Sequence, residues 1–186
     1  MTMTNANNGP LAGIKVLEFG SALTAPWAAG MLCDQGAEVI KIEPPGVGDV
    51  MRFIGSNRNG ITVPFQVANR RKKSVVLDIK QDKGTAIALA LVAEADVVIH
   101  NMRPGVMERR GLGYKDCHAI NSDIIYCAIS GYGHKGPMAG KPAYDNVIQA
   151  FTGICWAQAD LETGEPVQVY QLFADKLTAI TAAQSI

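Results

Sequence analysis

Residues 14–42 read IKVLEFGSALTAPWAAGMLCDQGAEVIKI, and their pattern decides the fold class. Ile14 to Phe19 is a short apolar run of the strand type. Ala25 to Gln35 is rich in small and apolar residues, with Thr24 as a possible N-cap and Pro26 in the first turn, and Gly36 ends it. That predicts a helix. Ala37 to Ile42 is a second strand. Strand, helix and strand in succession build a parallel sheet.

The same alternation continues outward. Ser74 to Ile79 reads as a strand, Lys83 to Glu94 as a helix and Asp96 to His100 as a strand buried on both faces. Pro104 to Arg110 is a short helical turn, Lys115 to Asn121 a short helix and Ile124 to Ser130 a fifth strand. A glycine-rich loop follows from Gly131 to Pro137. Tyr144 to Thr152 is a helix, residues 162–166 form a turn, and a last helix starts at Phe173. Pro44 to Phe65 is a long loop rich in Gly, Pro, Asn and Arg. The expected fold is α/β: a doubly wound, mainly parallel, Rossmann-like sheet with helices on both faces. Residues 1–9 are polar and read as a disordered lead-in, which leaves 10–186 as one domain. The last helix carries no stop signal, so the chain is expected to be truncated.

Composition narrows the function. Lys plus Arg and Asp plus Glu are 17 each, a net charge of zero, and aromatic residues make up 6%. Nucleic-acid binders show a basic excess and stacking aromatics, so no nucleic-acid partner is expected. No apolar run approaches about 18 residues, so no membrane span is expected. The N-terminus lacks the pattern of a secretion signal, and Cys33, Cys117, Cys127 and Cys155 fit no zinc spacing. A cytoplasmic protein without a bound metal is the expectation.

Ligands of doubly wound sheets bind beyond the carboxyl ends of the strands. The loop after the first strand lacks the GxGxxG pattern, and no GxxxxGK[ST] occurs. Basic residues gather instead at Arg70 to Lys73, before the third strand, and at Arg103, Arg109 and Arg110, after the fourth. Guanidinium groups there suit phosphates. For residues 70–73 a solvated surface run is an equal alternative. His100 reads as a core residue and His118 as a surface one, while His134 could touch a ligand. No His belongs to a hydrolase triad motif. Asp145 and Asp175 each open an apolar helix, where an acid is a cap more often than a catalyst.

Several blocks, in order, resemble the family III CoA-transferases, a group that includes α-methylacyl-CoA racemase. They are residues 10–19, 36–43 with Gly48-Asp49, and 69–78. Further along come Asn101-Met102-Arg103-Pro104-Gly105 with Arg109, Ser130-Gly131-Tyr132-Gly133, Ala143-Tyr144-Asp145 and Ala174-Asp175. The resemblance implies that Asp175 is a nucleophile passing CoA from an acyl-CoA thioester to a carboxylic acid through an aspartyl intermediate, kept ionised by the adjacent helix N-terminus. It maps CoA contacts onto Leu77, Lys80, Asn101, Met102, Arg109 and Arg110. A family lysine falls on Pro142, beside Lys141, and a family arginine on Pro44.

Substrate contacts are implied at Leu23, Tyr144 and Asp145. Leu23 replaces a glutamine of the formyl-CoA enzyme, which disfavours a formyl or oxalyl substrate. Tyr144 stands where racemases carry histidine, which favours transfer over racemisation. CoA and acyl-CoA are substrates, and no cofactor is expected to stay bound. Family members are much longer and interlock as homodimers. The 186 residues alone are therefore expected to be an inactive CoA-binding portion that associates through Phe173, Leu177 and Ile180.

Overall fold

The computed structural model describes residues 9–186. All but the last residue of the lead-in lies outside that range. The chain runs β1 (Lys15–Glu18), α1 (Thr24–Asp34), β2 (Glu38–Glu43), a 3-10 turn (Val50–Arg52), β3 (Asn57–Arg58), β4 (Ile61–Thr62), α2 (Val63–Asn69) and β5 (Lys73–Val76). It continues with α3 (Asp82–Val92), β6 (Val97–His100), a second 3-10 turn (Glu108–Arg110), α4 (Tyr114–Ile120), β7 (Ile125–Ala128), α5 (Asp145–Phe151), α6 (Ile154–Ala157) and α7 (Phe173–Ser185).

The main sheet has the order β5-β2-β1-β6-β7, and every neighbouring pair is parallel. Successive side chains of a strand point to opposite faces. Val16, Val39, Val97 and Ile99 accordingly meet α1 and α7 on one face. Leu17, Phe19, Ile42 and Val98 meet the α3 side on the other, with Met107, Leu112 and Cys117. Both faces are covered, which is why Val97 to Ile99 of β6 are apolar without a break. Between α1 and α7 the contact is made by small residues, Ala25, Ala28 and Ala29 against Ala179 and Ala182. Leu177 and Ile180 of α7 stay exposed.

Two expectations about local structure need correction. The stretch 44–65 is not one long loop. Asn59 and Gly60 both have positive φ, at 55° and 82°, and join β3 to β4 in a tight hairpin. An Asn-Gly pair favours that geometry, but the flanking strands are two residues each and too short to show alternation. Thr62 then caps α2 by accepting from the Phe65 N–H at 3.3 Å. Thr24 is not the cap of α1: Leu23 holds that position, and the Thr24 side chain is engaged elsewhere.

Candidate active site

β1 and β6 are the strands at which the chain order reverses, so a crevice opens beyond their carboxyl ends. The turn after β1 forms its floor. Ala22 sits there at φ 63°, a conformation that L residues adopt only when their surroundings impose it. Asp49 accepts from the Ala22 N–H at 3.0 Å and from the Met51 N–H at 2.9 Å. The Asn101 side chain accepts from the Ser21 N–H at 3.0 Å and donates to the Ser21 carbonyl at 2.8 Å. Its carboxamide is thus spent on the turn.

Beneath this turn lies a buried ionic network. Glu18 and Lys41 face each other in register on β1 and β2. Lys41 Nζ lies 2.6 Å from Glu18 Oε1 and 2.8 Å from Asp49 Oδ2, and it donates to the Gly20 carbonyl at 2.9 Å. Lys72 reaches the other Glu18 oxygen at 2.7 Å and also donates to the Pro26 carbonyl and to Asn69. Burial drags the Lys72 ammonium down to about 8 against the pull of Glu18. Glu43 closes the network through Arg52, Ser74 and the Asp49 N–H. Both readings of the 70–73 block therefore fail at Lys72, which is neither solvated nor available to a phosphate. Arg70 pairs with Asp34 and Lys73 with Glu38.

Asp175 enters the crevice from the first turn of α7. The two residues before that helix, Gln171 and Leu172, have φ of 70° and 56°. Thr24 Oγ1 donates to Asp175 Oδ1 at 3.0 Å, and the Asp175 N–H donates to Asp145 Oδ1 at 3.0 Å. Asp145 is buried and takes a second bond from Gln149 at 2.6 Å. Its carboxylate therefore caps α7 from α5. Burial pushes the Asp175 carboxyl above the usual range. The Thr24 hydroxyl works against that and the charge of Asp145 adds to it. Desolvation thus outweighs the Thr24 bond.

A cavity of about 230 Å³ at the strand ends brings together Leu23, Asn101, Met102, Arg103, Tyr144 and Asp175, with Lys141 on its rim. Gly131 also lines it, where a Cβ would lie 2.2 Å from the Ala143 Cβ, so only glycine lets these loops close. On the far side of Tyr144 and Asp175 a second cavity, of about 600 Å³, takes in Asp145. The remaining sequence candidates lie outside both cavities. Leu77, like Met102, packs against the α3-side core, Lys80 is exposed, and Arg109 and Arg110 are exposed on the second 3-10 turn. His100 is buried and accepts from the Met102 N–H at 3.2 Å, and burial lowers its imidazole to about 4. His134 is exposed and contacts the Ala128 carbonyl at 3.2 Å.

The pairing of Thr24 with Asp175 and the joining of Glu18, Lys41, Asp49 and Lys72 are not legible in the sequence. One signal was present. Glu18 and Lys41 are each the fifth residue of an otherwise mostly apolar six-residue strand, and a charge at such a position needs a partner.

Residues 11–186 match the family model described as CoA-transferase family III. The acetyl-CoA:oxalate CoA-transferase of Acetobacter aceti is 42% identical over 87% of this chain and 41% of its own length. Human succinyl-CoA:glutarate CoA-transferase is 39% identical over 97% of this chain and 41% of its own. The crystal structure of a CAIB/BAIF family protein from Brucella suis superposes with a TM-score of 0.88 at 40% identity, covering 96% of this chain and 49% of that one. The chain thus spans about two-fifths of the length of these curated relatives.

Proposed function

The chain belongs to CoA-transferase family III, and we propose that it carries the CoA-handling, nucleophile-bearing part of a CoA-transferase. One observation supports the reading most directly. Asp175 lines the crevice beyond β1 and β6 with Oδ1 held by Thr24, which leaves Oδ2 without a partner among the described residues. A carboxylate so fixed and partly desolvated is a better nucleophile than one in water.

In the proposed reaction Asp175 attacks the thioester carbonyl, the C–S bond breaks, and a mixed anhydride and CoA thiolate form. The thiolate attacks the aspartyl carbonyl, giving an aspartyl-CoA thioester and releasing the donor acid. The acceptor carboxylate repeats the sequence in reverse and leaves as its CoA thioester, with Asp175 restored. The Met102 backbone and Arg103 border the path of the CoA arm. Asn101 acts there by shaping the turn, since its side chain is already engaged. Lys80, Arg109 and Arg110 would meet the phosphates farther out, with Leu77 beneath the adenine end.

Leu23, Tyr144 and Asp145 border the acyl side, where Asp145 also holds the Asp175 N–H. Tyr144 supplies no imidazole to exchange an α-proton, so transfer is favoured over racemisation. A small acid as co-substrate, a homodimer and a cytoplasmic setting complete the proposal. Phe173, Leu177 and Ile180, exposed on α7, are the surface offered to the rest of the assembly.

The test is trapping. Incubation of the full-length gene product with an acyl-CoA and then hydroxylamine should mark Asp175. Undiminished transfer by Asp175→Ala overturns the proposal.

A further inference from the structure

Asp175, Leu23 and Tyr144 line two cavities, and among the described residues cationic side chains line only the smaller one. The smaller has Arg103, Lys141 and Ser130 on its walls. The larger, about 600 Å³, falls within the range of small-molecule sites, roughly 300–1,000 Å³. Val50, Met51, Ile54 and Leu172 line it, beside the uncharged polar side chains of Asn146, Gln168 and Gln171. Val50, Ile54 and Leu172 are each at least 40% exposed.

Backbone strain gathers at this cavity. Of the five non-glycine residues with positive φ among those described, three (Ala22, Gln171 and Leu172) line it. Such conformations persist where the surrounding structure over-determines them, and they cluster at ligand clamps. Leu172 is the most telling, because a branched side chain is a poor choice for that region.

We propose that the larger cavity seats an uncharged, apolar acyl chain, with the thioester carbonyl at Asp175 and the CoA arm leaving through the smaller cavity. The assignment of the occupant as an acyl group rests on the reading of Asp175 as the nucleophile. The character of the seat rests on its own walls. Asp145 and Asp175 are the carboxyl groups on those walls, and no Lys, Arg or His lines them among the described residues. A second carboxylate on the acyl chain would lie beside two acids with no cation to pair with it, which costs free energy. An alkyl chain gains about fourfold in affinity for each methylene buried there.

Unreactive thioether analogues test the seat without any chemistry at Asp175. Butyl-CoA, hexyl-CoA and carboxypropyl-CoA are titrated calorimetrically into the full-length gene product. Butyl-CoA should bind about tenfold or more tightly than carboxypropyl-CoA, whose carboxylate meets two acids there and no cation. Hexyl-CoA should bind tighter still. Ile54→Arg, a change at an exposed position, should weaken the alkyl ligands and strengthen carboxypropyl-CoA, and Val50→Arg should do the same. Equal or tighter binding of carboxypropyl-CoA by the unaltered protein, or no gain from butyl to hexyl, overturns the proposal. Hydroxylamine trapping on the same preparation separates the two ideas. Asp175 marked with a carboxypropyl preference removes the apolar seat and leaves the nucleophile. Asp175 unmarked with an alkyl preference leaves the seat and removes the nucleophile.

Discussion

Thr24 Oγ1 donates a 3.0 Å hydrogen bond to Asp175 Oδ1, joining the first residue of α1 to the first turn of α7 across 151 positions of sequence. The bond favours the carboxylate over the acid and works against the burial that raises the Asp175 carboxyl.

Removing that hydroxyl in Thr24→Val keeps the shape and takes away the bond. The Asp175 carboxyl then rises further, so the acid limb of the pH–rate profile moves to higher pH. With a bond to a charged group worth about 1.5 kcal/mol at the low end, kcat/KM falls about tenfold near neutrality. An unmoved acid limb in steady-state assays counts against the assignment.

Asp175 also bears on stability. Its folded carboxyl titrates above the unfolded one, so the native state binds the extra proton in that interval. Stability is therefore lost as pH rises from the unfolded value through the folded one, and the deficit persists above it. Asp175→Asn should raise Tm at neutral pH while abolishing transfer. The difference should vanish in acid below the ordinary aspartate range. Scanning calorimetry at the two pH values checks this.

Glu43 has the opposite sign. Burial would raise its carboxyl, but Arg52, Ser74 and the Asp49 N–H outweigh burial and hold it at about 2. Its contribution is full above the unfolded value and is lost as pH falls toward 2. Glu43→Gln should cost about 1–3 kcal/mol at neutral pH, the range for a disrupted buried acceptor. The penalty should shrink in acid, as urea unfolding at a series of pH values would record.

Asp49 holds the strained turn at Ala22 through one oxygen, which also accepts from the Met51 N–H, and meets Lys41 with the other. Asp49→Asn keeps an acceptor for the turn and removes the charge opposite Lys41. Thr24 rides on that turn, so kcat should fall several-fold while KM for acyl-CoA changes little. A change in KM alone would show that the turn serves binding and not the aim of Asp175.

Arg109 lies outside both cavities and is exposed. As a phosphate partner it should contribute about 1.5–3 kcal/mol to CoA affinity. Arg109→Ala titrated with CoA at low salt should show that loss, and dephospho-CoA should reveal whether the 3′-phosphate is the group concerned.

The sequence by itself determined the doubly wound sheet. Short, mainly apolar runs joined by a helical pattern pair in parallel with both faces covered, so residues 14–42 carry that information locally. For Asp175 and the residues after β6 the matching blocks imply roles, which the trapping and titration experiments test. Tertiary structure alone decided the rest. That Lys72 joins Lys41 on Glu18, that Asn101 spends its side chain on Ser21, and that burial raises the Asp175 carboxyl all depend on segments far apart in sequence. Glu18 and Lys72 lie 54 positions apart, and Ser21 and Asn101 lie 80 apart. Hydrophobic periodicity reports on a residue's own strand or helix. Ion pairing and desolvation report on whatever the fold packs against it, and no local pattern encodes that.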